Sequence, residues 1–160
     1  MTAPRLAIFV DGANIDRASK DMGIRINYRR LKAFLAGNRV VVLANYYNSK
    51  SSELGELAFY SRLQILGYKL VLGPKKVQDH PQREVDVQIA VDMVSGAYTD
   101  LFDIALLASG DGDFAPAVRK LRSLNKSVEV ASFRKQLSMS LTTTASRVID
   151  LTSSIRQFKN

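Results

Sequence analysis

The sequence predicts an α/β domain: a central, mainly parallel sheet of about five strands with helices on both faces. Three observations predict it. Short, continuous apolar runs of strand length recur along the chain, as strands buried on both faces require. Segments of helical periodicity fill the gaps between those runs. Alternation of the two types calls for parallel pairing through crossover helices.

The strand runs are Arg5–Val10, Val40–Ala44 continuing to Tyr46 and Tyr47, Tyr68–Leu72, Ile104–Ala108 and Ser127–Ala131. Helical patterns cover Ile15–Met22 with Asn14 as N-cap, Tyr28–Ala36 after Asn27, and Ser52–Leu66. They resume at Glu84–Tyr98, Phe114–Leu124 and, less regularly, within Gln136–Ala145. Asparagine starts, and glycine stops at Gly37 and Gly67, suit the unsatisfied groups of helix ends. Gly73–Arg83 reads as a substrate-facing loop, with two prolines and mostly polar residues.

The 160 residues suit one domain over the whole chain. Apolar residues make up 46% and charged residues 24%, the balance of a globular protein. No stretch approaches the roughly 18 apolar residues of a membrane span, and the start of the chain lacks a signal-peptide pattern. Cysteine is absent, which excludes disulfides and thiolate metal sites and fits a cytoplasmic protein. Net charge is +8, and a surplus of that size favours RNA or another nucleic acid as partner. Basic clusters at Arg25–Lys32, Lys69–Arg83 and Arg119–Lys126 fit it, with Tyr28 and Tyr68 as surfaces for base stacking or as core residues. A homodimer is left open.

The chemistry concentrates in aspartates. Asp11 directly follows the first strand, and Asp111 and Asp113 lie in the Ser109-Gly-Asp-Gly-Asp113 turn after the strand ending at Ala108. Ligands of open parallel sheets bind at the carboxyl ends of strands, so these three share an edge and would meet if the two strands are neighbours. Helical periodicity puts Asp86 in line with Ala90, Met93 and Ala97, on an apolar face where a carboxylate needs a partner, a cation or a helix N-terminus. Asp92 lies on the polar side of that helix near Gln88. Carboxylates without cysteine and with one histidine, His80, suit Mg²⁺ or Mn²⁺ and phosphodiester hydrolysis. A two-histidine ribonuclease is excluded, and no phosphate-binding glycine loop or serine nucleophile elbow is present. Glycines 12, 110 and 112 either shape turns or let a ligand approach the backbone.

Phe9-Val-Asp-Gly-Ala-Asn14, Val85-Asp-Val-Gln-Ile-Ala-Val-Asp-Met93, Ala108-Ser-Gly-Asp-Gly-Asp-Phe114 and Val128-Glu-Val130 together resemble the NYN domain in its bacterial LabA-like branch. The resemblance runs from Leu6 to about Leu151. It implies a PIN-like three-layer fold and metal-dependent RNA cleavage, internal rather than from an end. Asp11, Asp86, Asp111 and Asp113 would be catalytic carboxylates holding Mg²⁺ or Mn²⁺, and Asp92 matches a further recurring position. Asn14 would orient the first aspartate or touch a phosphate, and Ser109 would support the cluster. Lys75, Lys76, Arg83, Arg119 and Lys120 are the candidate cations for the substrate backbone. Two departures stand out: Ala145-Ser146 replaces an alanine–aspartate pair, and Glu84-Val85 replaces lysine–glycine, with Arg83 upstream. A non-cutting regulator of the same fold, binding nucleic acid or protein, and a phosphatase or nucleotidase are the alternatives.

Overall fold

The computed structural model describes residues 2–51, 53–75 and 81–160. Six strands form one sheet: β1 (Arg5–Asp11), β2 (Val40–Lys50), β3 (Lys69–Lys75), β4 (Ile104–Ala108), β5 (Ser127–Ser132) and β6 (Arg147–Asp150). Their order is β3-β2-β1-β4-β5-β6. Every pairing is parallel. The sixth strand is short and only half-buried, so it lacks the apolar run that marks the other five.

The helices are α1 (Gly12–Asp21), α2 (Tyr28–Ala36), α3 (Leu54–Ile65), α4 (Pro81–Tyr98), α5 (Ala115–Ser123) and α6 (Met139–Thr144). Alternate residues of β1 serve opposite faces, as strand geometry dictates. Leu6, Ile8 and Val10 pack with Ile15, Leu31 and Leu63 on one side. Ala7 and Phe9 pack with Ile89, Met93 and Val118 on the other. Helices α1–α3 therefore cover one face and α4–α6 the other, giving three layers around two cores.

The chain changes direction between β1 and β4. From β1 it winds outward through β2 and β3, then crosses by α4 and winds outward again through β4, β5 and β6. Such a switch point leaves a crevice at the carboxyl ends of the two central strands. The pairing Val10↔Ala108 places Asp11 and Ser109 side by side at that crevice.

Several local expectations change. Asp11, not Asn14, caps α1, so the helix starts at Gly12, three residues before the predicted Ile15. Asn27 caps α2 as its sequence suggests. Of the predicted loop, residues 73–75 belong to β3 and residues 81–83 to α4. Residues 76–80, with His80 and Lys76 among them, lie outside the described residues. Tyr28 and Tyr68 are core residues, 7% and 3% exposed, so neither offers a face for stacking. Ala145-Ser146 sits just before β6, where Ser146 hydrogen-bonds the backbone of Val128 near the start of β5, away from the carboxyl edge.

Candidate metal and nucleic-acid site

Asp11 is buried at the end of β1, 2% exposed. One oxygen, Oδ2, accepts from the Ser109 hydroxyl at 2.8 Å. The other, Oδ1, accepts from the Asn14 backbone N–H at 3.2 Å as the cap of α1. A carboxylate has about four lone-pair sites, so both oxygens can accept more. Burial pushes the Asp11 carboxyl up to about 6. The Ser109 and Asn14 hydrogen bonds oppose that shift, and the charges of Asp86 and Asp111 add to it. Three carboxylates thus stand in electrostatic contact across the crevice. Among the described residues neither Asp11 nor Asp111 has a lysine or arginine at ion-pair distance.

The loop after β4 is built to hold its acids. The Ser109 hydroxyl, fully buried, accepts from the Asp111 N–H at 3.2 Å while donating to Asp11. Asp111 Oδ1 accepts from the Asp113 N–H at 2.9 Å and caps the 3-10 turn Gly112–Phe114. The Asn14 side-chain oxygen accepts from the Gly110 N–H at 3.1 Å, tying α1 to this loop. Asn14 therefore orients the site twice, through its backbone and its side chain. A Cβ on Gly12 would meet the Tyr46 ring and the Tyr47 carbonyl oxygen at 2.6 Å. One on Gly110 would strike the Gln136 carbonyl. Both glycines are needed for packing against the protein itself.

Asp86 is half-buried on α4. The buried stripe of that helix is Val85, Ile89, Met93 and Ala97, and Asp86 lies at its margin rather than its middle. Because α4 starts at Pro81, Asp86 is past the first turn and the free N–H groups of that turn. A helix-terminus role does not account for it. Its charge reaches Asp11 instead.

The remaining candidates separate. Asp113 is exposed beside Asp111. Asp92 is half-buried outside the cluster, accepting from the Tyr47 hydroxyl at 2.9 Å and from the Gln88 amide at 2.7 Å. Lys75 ends β3 at the same edge as the acids. Arg83 is exposed and lines a groove of about 430 Å³ with Tyr47, Gly73, Val85 and Gln88. Arg119 is exposed on α5. The Lys120 amino group lies 5.5 Å from the centre of the Tyr98 ring. Tyr98 is twelve residues beyond Asp86 on α4, about 18 Å down the helix at its usual rise. Lys120 is therefore placed away from the acids.

The donor set fits a hard divalent cation. It offers carboxylate oxygens, on a buried aspartate that no lysine or arginine among the described residues pairs with. Among the described residues, however, no three acidic or histidine side chains already stand as a metal-holding group.

Comparison with known proteins agrees with this architecture. The NYN domain family model matches residues 5–152. This chain belongs to the NYN domain family. A curated relative, the low amplitude and bright protein LabA of Synechococcus elongatus, is 29% identical over 96% of this chain and 87% of its own length. A crystal structure of a Vibrio parahaemolyticus protein of unknown function superposes with a TM-score of 0.85 at 23% identity. It covers 99% of this chain and 97% of that one, which establishes the shared fold. The fold is α/β and consistent with the PIN-like nuclease architecture.

Sequence reasoning missed Asp16 and Tyr47. Asp16 accepts from the hydroxyls of Tyr28 and Tyr46. The signal was available in Tyr46-Tyr47: adjacent strand residues face opposite sides, so each hydroxyl reaches a different helical layer.

Proposed function

We propose that this NYN domain is a metal-dependent ribonuclease, with Asp11, Asp86 and Asp111 as the central carboxylates and Asp113 at the margin. The observation that carries this reading is the buried Asp11 carboxylate, in electrostatic contact with two further acids at the switch point of the sheet and, among the described residues, without a lysine or arginine at ion-pair distance.

Mg²⁺ or Mn²⁺ bound there would supply charge stabilisation for the phosphoryl group and a more acidic water. The protein residues have separate tasks. Asp11 and Asp111 would provide oxygen ligands on two neighbouring strands. Ser109 would hold the Asp11 carboxylate in orientation, as outer partners of metal ligands do. Asn14 would keep the two loops in register. Lys75 and Arg83 would contact phosphates of the strand without reading its bases. Arg119 would assist from α5, whereas Lys120 would serve packing on Tyr98. Asp92 would support Tyr47 rather than an ion.

The absence of a converged group of three acids among the described residues favours one second reading, a non-cutting nucleic-acid-binding regulator. A single experiment divides them. Labelled single-stranded and structured RNA, and single-stranded DNA, are incubated with the protein in Mg²⁺, Mn²⁺ or EDTA, beside the Asp111→Asn variant. RNA cleavage that needs the cation and Asp111 is expected. Cleavage that survives EDTA or the substitution refutes the metal mechanism. RNA binding without cleavage in either metal selects the regulator.

A further inference from the structure

A second cavity, of about 760 Å³, is lined by residues of α1, α2 and α3 and by none of the four candidate metal aspartates. It falls in the size range of small-molecule sites. Asp16 lines it, and its carboxylate is fixed from behind. Oδ1 accepts from the Tyr28 hydroxyl at 3.0 Å and Oδ2 from the Tyr46 hydroxyl at 2.9 Å. Each oxygen keeps a lone-pair site for a ligand. Burial pushes this carboxyl above its ordinary value, and the two tyrosine hydroxyls oppose the shift. Phe59 forms a half-buried aromatic wall, braced edge-on by Tyr28 at 5.4 Å and by Tyr46 at 5.7 Å. Lys20, Arg25 and Arg62, all exposed, line it too, and they outnumber the one further acidic side chain of the lining, Glu56.

An aromatic side chain in the lining, a fixed pair of acceptor oxygens and three cations together fit a nucleotide. Single-stranded RNA is read in this manner, by stacking on aromatic side chains and hydrogen bonding at the Watson–Crick edge. The acceptor pair selects the base. Guanine alone presents two adjacent N–H donors, at N1 and N2, on that edge. Adenine and cytosine place a ring acceptor beside their amine, and uracil has one N–H between carbonyls. We propose that this cavity holds a guanine base of the RNA strand, with Asp16 accepting from N1–H and N2–H and Phe59 stacking on the ring. The proposal rests on the ribonuclease reading for its substrate class.

The location fits a base flanking the cleaved bond. Asp11 caps α1 and Asp16 lies in its second turn, about 7 Å further along the axis at the usual rise. The Tyr46 ring that holds Asp16 also packs under Gly12, the neighbour of Asp11. One helix therefore carries both the acidic crevice and the base site.

The test is binding in EDTA, which separates recognition from cleavage. Fluorescently labelled uridine heptamers, all-U or with one central G, A or C, are titrated by anisotropy, with 5′-GMP as competitor. The G strand should bind about ten- to a hundredfold more tightly than the others, as a good bidentate base contact gives. Asp16→Asn turns one acceptor into a donor and should abolish the preference. Because that change leaves a tyrosine hydroxyl short of its acceptor, Phe59→Leu serves as the second variant. It should weaken the G strand severalfold and spare the all-U strand. Equal binding of the four strands, or a preference unchanged in both folded variants, overturns the proposal. So does binding of GMP without binding of the strands. Asp111→Asn should keep the guanine preference while losing cleavage. Cleavage without preference removes the base site and leaves the nuclease; preference without cleavage does the reverse.

Discussion

The two edges of the sheet treat aspartate in opposite ways. At the amino edge, Asp103 receives the Arg5 backbone N–H and guanidinium. These hydrogen bonds hold its carboxyl at about 2. Asp100 pairs with Lys126 and Arg5, which hold it below the usual carboxylate range. At the carboxyl edge, Asp11 is buried and sits near 6, with two acids for neighbours. Acids that secure a fold are neutralised and exposed. At the carboxyl edge the acid is buried instead, and that burial, with its acidic neighbours, raises its carboxyl rather than lowering it.

The largest break of this contrast is expected from Asp11→Asn or Asp111→Asn. Each should reduce RNA cleavage in Mn²⁺ about a thousandfold, roughly 4 kcal/mol of barrier, measured under single-turnover conditions. Ser109→Ala removes an orienting hydroxyl and should cost about ten- to a hundredfold. Titrating Mn²⁺ against cleavage will show how much of that loss is cation affinity.

Stability should move the other way. The folded Asp11 carboxyl is raised from an ordinary 3.8 to about 6. Its protonated form therefore favours the folded state below about pH 4, and that benefit is lost as pH rises through about 6. Without added metal this group should leave the protein less stable at pH 8 than at pH 5 by roughly 1.5 kcal/mol, about half of the ~3 kcal/mol that the full shift carries. Asp11→Asn should recover about 1–3 kcal/mol of it at pH 8 and little at pH 4.5, measured by urea unfolding in EDTA. Equal urea midpoints for the two proteins at pH 8 would refute this account. The smallest effect belongs to the amino edge. Arg5→Ala should lower stability slightly, lose that effect in high salt, and leave cleavage unchanged.

The sheet was readable because its inner strands are apolar on both faces, and the edge shared by Asp11 and Asp111 follows from strand direction alone. Their adjacency required β1 to neighbour β4, which the order of the strands supplies. β6 escaped notice because a half-buried edge strand carries no distinctive run. Asn14 reads as a cap because the helical pattern starts at Ile15, yet the candidate ligand Asp11 is itself the cap, one turn earlier. Asp86 reads as part of an apolar face because Ala90, Met93 and Ala97 share its helical row, whereas the buried stripe also runs through Val85 and Ile89 and leaves Val87 61% exposed. The base-site carboxylate was hidden because its tyrosine partners are distant in sequence and converge only through tertiary packing.

The hydrogen bond from Ser109 to Asp11 joins residues separated by 98 positions. During synthesis the central strand emerges long before its partner. At about 5–20 residues per second, β1 waits roughly 5–20 s for β4. Meanwhile β2, β3 and helices α1–α3, which precede β4 in the chain, can cover one face and one edge of β1, while the edge that β4 will take stays open. The acidic crevice therefore cannot form until β4 has emerged and the Ser109 hydroxyl has met Asp11, so whatever chemistry it supports waits for the whole segment between them.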